Sequence, residues 1–99
     1  MTILIVDDHP LTVSVYETIL REHLKFPNEF IIKKAFNCRE AYDAVHLAET
    51  IDLAIIDYSL PSFHEKRLLN GTDIILLIKE KFNNCKNFII TSHNEIIMT

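Results

Sequence analysis

Four short apolar runs divide the chain: Ile3–Val6, Phe30–Phe36, Leu53–Ile56 and Phe88–Ile90. The first, third and fourth are solid rather than alternating, the pattern of strands buried on both faces of a parallel sheet. Lys33 and Lys34 interrupt the second run, which reads as an edge strand. Helical spacing fills the gaps. Leu11, Val15, Ile19, Leu20 and Leu24 keep one face apolar between Pro10 and Pro27, and a proline suits the first turn of a helix. Asn37, with Glu40 three residues on, can cap a second helix whose narrow face is Ala41, Ala44, Val45 and Ala48. Thr72 or Asp73 can cap a third, in which Ile74, Leu77, Ile78 and Phe82 recur. A further helix is expected to begin between Asn94 and Thr99.

The order is β-α-β-α-β-α-β, which predicts an α/β, doubly wound parallel sheet with helices on both faces. All 99 residues form one domain, and the pattern stops just after its fourth strand. The sequence therefore predicts an open edge on the fourth strand and a half-covered face beside the first helix. An unpaired edge invites pairing with another chain, so it is a candidate surface for a homodimer. The chain reads as a fragment, or as a domain completed by a partner.

Composition narrows the function. With 48% hydrophobic residues the chain has the material for a core, and a domain of this size buries roughly two thirds of its unfolded surface. A net charge of −4 and dispersed basic residues argue against direct nucleic-acid binding, which needs clustered Lys and Arg. Lys33-Lys34 and Lys66-Arg67 read as solvated charge. Cys38 and Cys85 have neither a CxxC nor a metal spacing and read as reduced thiols. No apolar run reaches the ~18 residues of a membrane span, and no signal segment opens the chain, so a cytoplasmic protein without membrane contact is expected.

Two of the buried strands end on acids: "TILIVDDHP" runs into Asp7 and Asp8, and "LAIIDYSLP" into Asp57. Ligands of doubly wound sheets bind outside the carboxyl ends of the strands, so the three acids converge if the first and third strands are neighbours. Converging carboxylates repel and raise each other's pKa, a penalty that a hard divalent cation removes. The chemistry points to Mg²⁺ held by Asp7, Asp8 and Asp57, with coordination positions left for phosphate oxygens. The competing structural role is ordinary: each aspartate can form a turn, and Asp8 can cap the helix that opens at Pro10.

The ordered set "ILIVDDHP", "LAIIDYSLP", "NGTDII" and "FIITSHN" resembles the receiver domain of bacterial two-component response regulators, and its DDHP form is similar to regulators with a helix-turn-helix output. The resemblance implies the flavodoxin-like receiver fold, here truncated after the fourth strand, with the fifth strand and last helix absent. It implies that Asp57 is the phosphoacceptor, that Asp8 binds Mg²⁺ directly and Asp7 mainly through water, and that the backbone carbonyl of Ser59 completes the protein's share. Thr91 matches the switch hydroxyl, with Ser92 the alternative, and His93 borders the site. Pro61 matches the proline that shapes the loop after the acceptor. The implied partners are a sensor histidine kinase and an output DNA-binding domain outside this chain. The implied role is a signalling switch rather than an enzyme, with at most slow self-dephosphorylation.

Two departures stand out. The glycine that family members place about eight residues after the acceptor is Gly71 here, fourteen after Asp57 (71 − 57 = 14), so "SFHEKRLLN" lengthens this loop by about six residues. The segment reads as a short helical turn, a partner contact or a disordered flap. The lysine that pairs with the phosphoryl group in the family has no match, because Lys81 and Lys86 precede the end of the fourth strand. A receiver-like interaction module without a phosphorylation cycle is the rival reading. A metal-dependent phosphohydrolase is weaker, since no second acid stands two residues past Asp57.

Overall fold

The computed structural model describes residues 1–24 and 29–90, together with the backbone of residues 96–98. Strands β1 (Thr2–Val6), β2 (Ile31–Ala35), β3 (Leu53–Asp57) and β4 (Lys86–Ile90) run parallel, in the order β2-β1-β3-β4. Helices α1 (Pro10–His23), α2 (Cys38–Leu47) and α3 (Gly71–Lys81) form the crossovers. This is the doubly wound arrangement that the sequence predicts, with β2 at the edge. The central strand β1 is buried along its whole length, as its solid apolar run requires. Leu4 and Val6 join Ala54, Ile56, Ile89, α2 and α3 in the larger core, whereas Ile3 and Ile5 face α1.

The first helix is rotated from the predicted face. Val13 is buried against Ile3 and Ile5 with Tyr16, Leu20 and Leu24, while Leu11, Val15 and Ile19 are 82%, 54% and 48% exposed. Two apolar stripes share this helix, and spacing alone does not rank them. The stripe that ends on Leu20 and Leu24 is the one that meets the sheet. On the same side of the sheet Leu53, Ile55, Phe88 and Ile90 are only half-buried, in line with the half-covered face.

Capping follows side-chain chemistry. Asn37 Oδ1 accepts from the Glu40 N–H at 2.8 Å, and Glu40 Oε1 accepts from the Phe36 N–H at 3.2 Å. The cap of α3 is Asn70, not Thr72 or Asp73: its Oδ1 accepts from both of their N–H groups. Thr72 and Asp73 already lie inside the first turn, where they donate to the cap. Lys81 Nζ, at the end of α3, donates to the carbonyls of Val45, His46 and Ala48 at 2.8, 2.8 and 3.0 Å. One ammonium thus satisfies three acceptors at the end of α2 and favours the negative pole of its dipole.

The edge of β4 is not open. Residues Ile96–Met98 form β5, antiparallel to β4, with Ile89 opposite Ile97. This replaces the helix expected from Asn94 onward. Ile-Ile-Met has strand propensity, and the five residues 91–95 are too few for a parallel return, which needs about a dozen. The fifth strand expected to be absent thus has a short antiparallel counterpart, and β5 takes the edge that was expected to be open on β4.

The lengthened loop is ordered. A single 3₁₀ turn, His64–Lys66, is closed by paired hydrogen bonds between Phe63 and Leu68, and Leu68 is buried in the core. The reading as a short helical turn is the one the structure bears out. Gly71 then begins α3 in close contact with β3: a Cβ there would stand 2.3 Å from the Asp57 carbonyl oxygen and 3.0 Å from its carbon. Gly71→Ala is expected to lower stability by about 2 kcal/mol in urea unfolding, because backbone overpacking outweighs the helix propensity that alanine gains.

Candidate metal centre

The carboxyl edge of the sheet gathers the acids. Val6 pairs with Ile56, so the next residues on the two strands, Asp7 and Asp57, leave the sheet side by side. The Asp7 N–H still donates to Ala35 at 3.0 Å, which continues the ladder and fixes the residue at the strand end. Asp7 is 5% exposed. Its Oδ1 accepts from the His9 N–H at 2.9 Å and lies 2.9 Å from His9 Nδ1. Tyr58 donates to Ile90 and accepts from Gly71, which clamps the backbone just past Asp57.

One ligand atom from each of Asp7, Asp8, His9 and Asp57 falls within a set whose members are all within 4.8 Å of one another. The three acids named from the sequence converge, and His9 joins them. Histidine spacings along the chain gave no sign of this, because His9 enters by direct adjacency to Asp8 and not by a metal-ligand repeat. Asp8 does not cap α1. His9 holds the cap position without a side-chain hydrogen bond. Ser59 lies beside the cluster, its N–H 3.3 Å from Asp57 Oδ1. Thr91, Ser92 and His93 lie outside the described residues.

The electrostatics are those of a site with excess negative charge. Burial raises the pKa of Asp57 above the ordinary carboxylate range, and Asp7 and then Asp8 push it further, against the opposing Ser59 N–H and His9. The His9 pKa is raised by its hydrogen bond to Asp7 first and the Asp8 charge second. Tyr16 of α1 is raised by burial, then by Asp7 and Asp57. Asp8 Oδ1 is buried without a hydrogen bond, although His9 Nδ1 lies 3.0 Å from it. An orphaned carboxylate oxygen among hard oxygen donors fits a hydrated divalent cation, and Asp7, Asp8 and Asp57 are the residues that would hold it.

A parallel α/β domain with an acid cluster at the carboxyl edge of β1 and β3 is a recognisable class. The family model for the response regulator receiver domain matches residues 3–99, and the chain belongs to that family. A curated relative, the cyclic di-GMP phosphodiesterase of Thermotoga maritima, is 30% identical over 98 residues, covering 96% of this chain and 22% of that protein. The chain therefore spans about a fifth of that relative's length. Three solved structures share the fold. MaeR bound to beryllium trifluoride is 22% identical with a TM-score of 0.71, covering 96% of this chain and 70% of that one. A Burkholderia pseudomallei response regulator with a phosphorylated aspartic acid, calcium ion and citrate is 17% identical with a TM-score of 0.69, covering 91% and 46%. RcsB of Salmonella typhimurium is 20% identical with a TM-score of 0.71, covering 92% and 42%. Among the described residues no helix is long and apolar enough to cross a membrane.

A prediction follows from the repulsion. The folded pKa of Asp57 lies above its ordinary value, so its ionised form destabilises the fold above that pKa, and this effect vanishes on acidification below the unfolded value. Asp57→Asn is expected to raise the melting temperature at neutral pH without divalent cations. The gain should disappear at acidic pH, and saturating Mg²⁺ should stabilise only the parent chain; differential scanning calorimetry reads all three.

Proposed function

We propose that Asp57 accepts a phosphoryl group from a histidine kinase and that the adduct switches an output outside this chain. The convergence of Asp7, Asp8 and Asp57 carries this reading. An Asp57 carboxylate oxygen forms the bond to phosphorus while the P–N bond of the donor's phosphohistidine breaks. The electron pair goes to the donor imidazole nitrogen, which then takes a proton. A bound Mg²⁺ would supply charge neutralisation between the acids and the phosphoryl oxygens. Asp7 and Asp8 would hold that charge in place, with the Ser59 carbonyl as a further oxygen ligand, and the Ser59 N–H orients Asp57. The raised pKa of His9 makes it a partial counter-charge at the mouth of the site.

The solved relatives support the chemistry by likeness: one has a phosphorylated aspartic acid and a calcium ion, another a bound beryllium trifluoride. Thr91 is proposed as the switch hydroxyl that bonds a phosphoryl oxygen and biases a two-state equilibrium of the following segment. The output is proposed to be a DNA-binding domain that controls transcription, by analogy with RcsB, which is known in complex with DNA. The protein is proposed to act in the cytoplasm as a switch and not as an enzyme.

Intact-mass analysis after acetyl phosphate treatment tests the reading. A one-phosphate adduct is expected on the parent chain with Mg²⁺, and none without Mg²⁺ or on Asp57→Asn. An adduct that forms equally on Asp57→Asn would overturn the assignment. If the parent chain and a longer chain running past Thr99 both stay unmodified, the interaction-module reading takes its place.

A further inference from the structure

The carboxylates at the end of β1 and β3 share their site with one nitrogen donor. We propose that His9 Nδ1 is a direct ligand of the cation held by Asp7, Asp8 and Asp57. That ligand turns the site away from Mg²⁺ and toward first-row transition cations such as Mn²⁺ and Co²⁺. The proposal rests on the metal-centre reading above and adds to it a ligand and a class of metal.

His9 Nδ1 lies 2.9 Å from Asp7 Oδ1 and 3.0 Å from Asp8 Oδ1. Neighbouring donors around an octahedral cation with bonds of about 2.1 Å stand roughly 3.0 Å apart. Both separations are therefore those of adjacent ligands on one ion. With Asp57 the set lies within 4.8 Å, near the roughly 4.2 Å between opposite donors of such a shell. An ion pair between the ring and the acids explains only part of this arrangement. Nδ1 carries a single N–H, and its hydrogen bond goes to Asp7 Oδ1. Asp8 Oδ1 is buried without a hydrogen bond, although the same nitrogen is 3.0 Å away. A cation between them satisfies the oxygen and the nitrogen together.

Local structure holds the ring in place. The His9 N–H donates to Asp7 Oδ1 at 2.9 Å, and the His9 carbonyl accepts from the Val13 N–H at 3.2 Å as α1 begins. The side chain is 69% exposed, so Nε2 can carry the ring proton into water while Nδ1 ligates. His46 and His64 instead set a ring nitrogen beside the Tyr42 carbonyl and the Ser62 hydroxyl. Imidazole nitrogen suits transition cations, whereas Mg²⁺ takes oxygen ligands and keeps its waters. A neutral nitrogen also adds a ligand without adding negative charge to three acids. Without a cation the ring is the counter-charge between Asp7 and Asp8. With one, the cation replaces the Nδ1 proton, which leaves to solvent.

Titration of the 99-residue chain with Mn²⁺ and with Mg²⁺, on the parent and on His9→Asn, tests the proposal. Asparagine is a favoured N-cap, so α1 keeps its start, and a melting temperature no lower than the parent's checks folding. Pulsed EPR of bound Mn²⁺ should show nitrogen coupling in the parent and none in the variant. Calorimetry should show Mn²⁺ affinity falling about tenfold in the variant, with Mg²⁺ affinity held within about twofold. The fall should be larger for Co²⁺, which binds nitrogen more tightly than Mn²⁺. Absence of nitrogen coupling in the parent overturns the proposal, as does an equal change for both cations in His9→Asn. Asp8→Asn separates the two readings: if it weakens both cations while His9→Asn does not discriminate, the acid centre stands without His9. If neither cation binds the parent, both readings fall.

Discussion

The parallel register of β1 against β3 is the constraint on which the site depends. Val6 opposite Ile56 leaves no freedom in where Asp7 and Asp57 emerge: they leave adjacent strands at one level, on the edge where both strands end. Side chains in a strand alternate faces, so a slip of one residue would send Leu4 and Val6 to the α1 side and Ile3 and Ile5 to the other, mismatching both cores and parting the two acids at once. Burial of Ile3, Leu4, Ile5 and Val6 therefore holds the carboxylates together against their own repulsion. Hydrophobic contact from four large side chains, each worth about 1.5–3 kcal/mol when fully buried, outweighs the charge penalty of a partly solvated cluster.

The same strand end carries the helix behind it. Gly71 begins α3 against the carbonyl of Asp57, and its N–H donates to Tyr58 at 2.9 Å. The backbone at Asp57 and Tyr58 is thus gripped from β4, through Ile90, and from α3. A side chain at position 71 would separate these elements and move Asp57 relative to Asp7. The glycine's role is close approach, and no left-handed backbone is involved.

Much of this was legible in the sequence because solid apolar runs and capping residues act locally. The runs gave the four parallel strands, the edge position of β2 and the meeting of Asp7, Asp8 and Asp57. What escaped was decided by contacts distant in sequence. Two apolar stripes on α1 compete, and only the sheet chooses Val13, Tyr16 and Leu20. Ile96–Met98 follows the pairing opportunity offered by β4 rather than a helical pattern. His9 was missed because a residue two positions along a chain is within reach of a strand-end acid only when the chain turns there, and the Asp7 side chain makes that turn by accepting the His9 N–H.

The lengthened loop shows how an insertion is tolerated next to a site that requires precision. Phe63 and Leu68 close the excursion with two backbone bonds, of 2.7 and 3.1 Å, so the ends of the extra segment stay together. Arg67 accepts a left-handed backbone, φ 58°, to complete that closure. Closing the excursion early leaves Leu68 in the core and Asn70 free to cap α3, and Gly71 reaches Tyr58 despite the added length. The cost of about 1–2 kcal/mol for a non-glycine left-handed residue is confined to the surface. An insertion stapled at its base adds surface without moving the strand end, and for that reason the acid cluster keeps its geometry despite the added length.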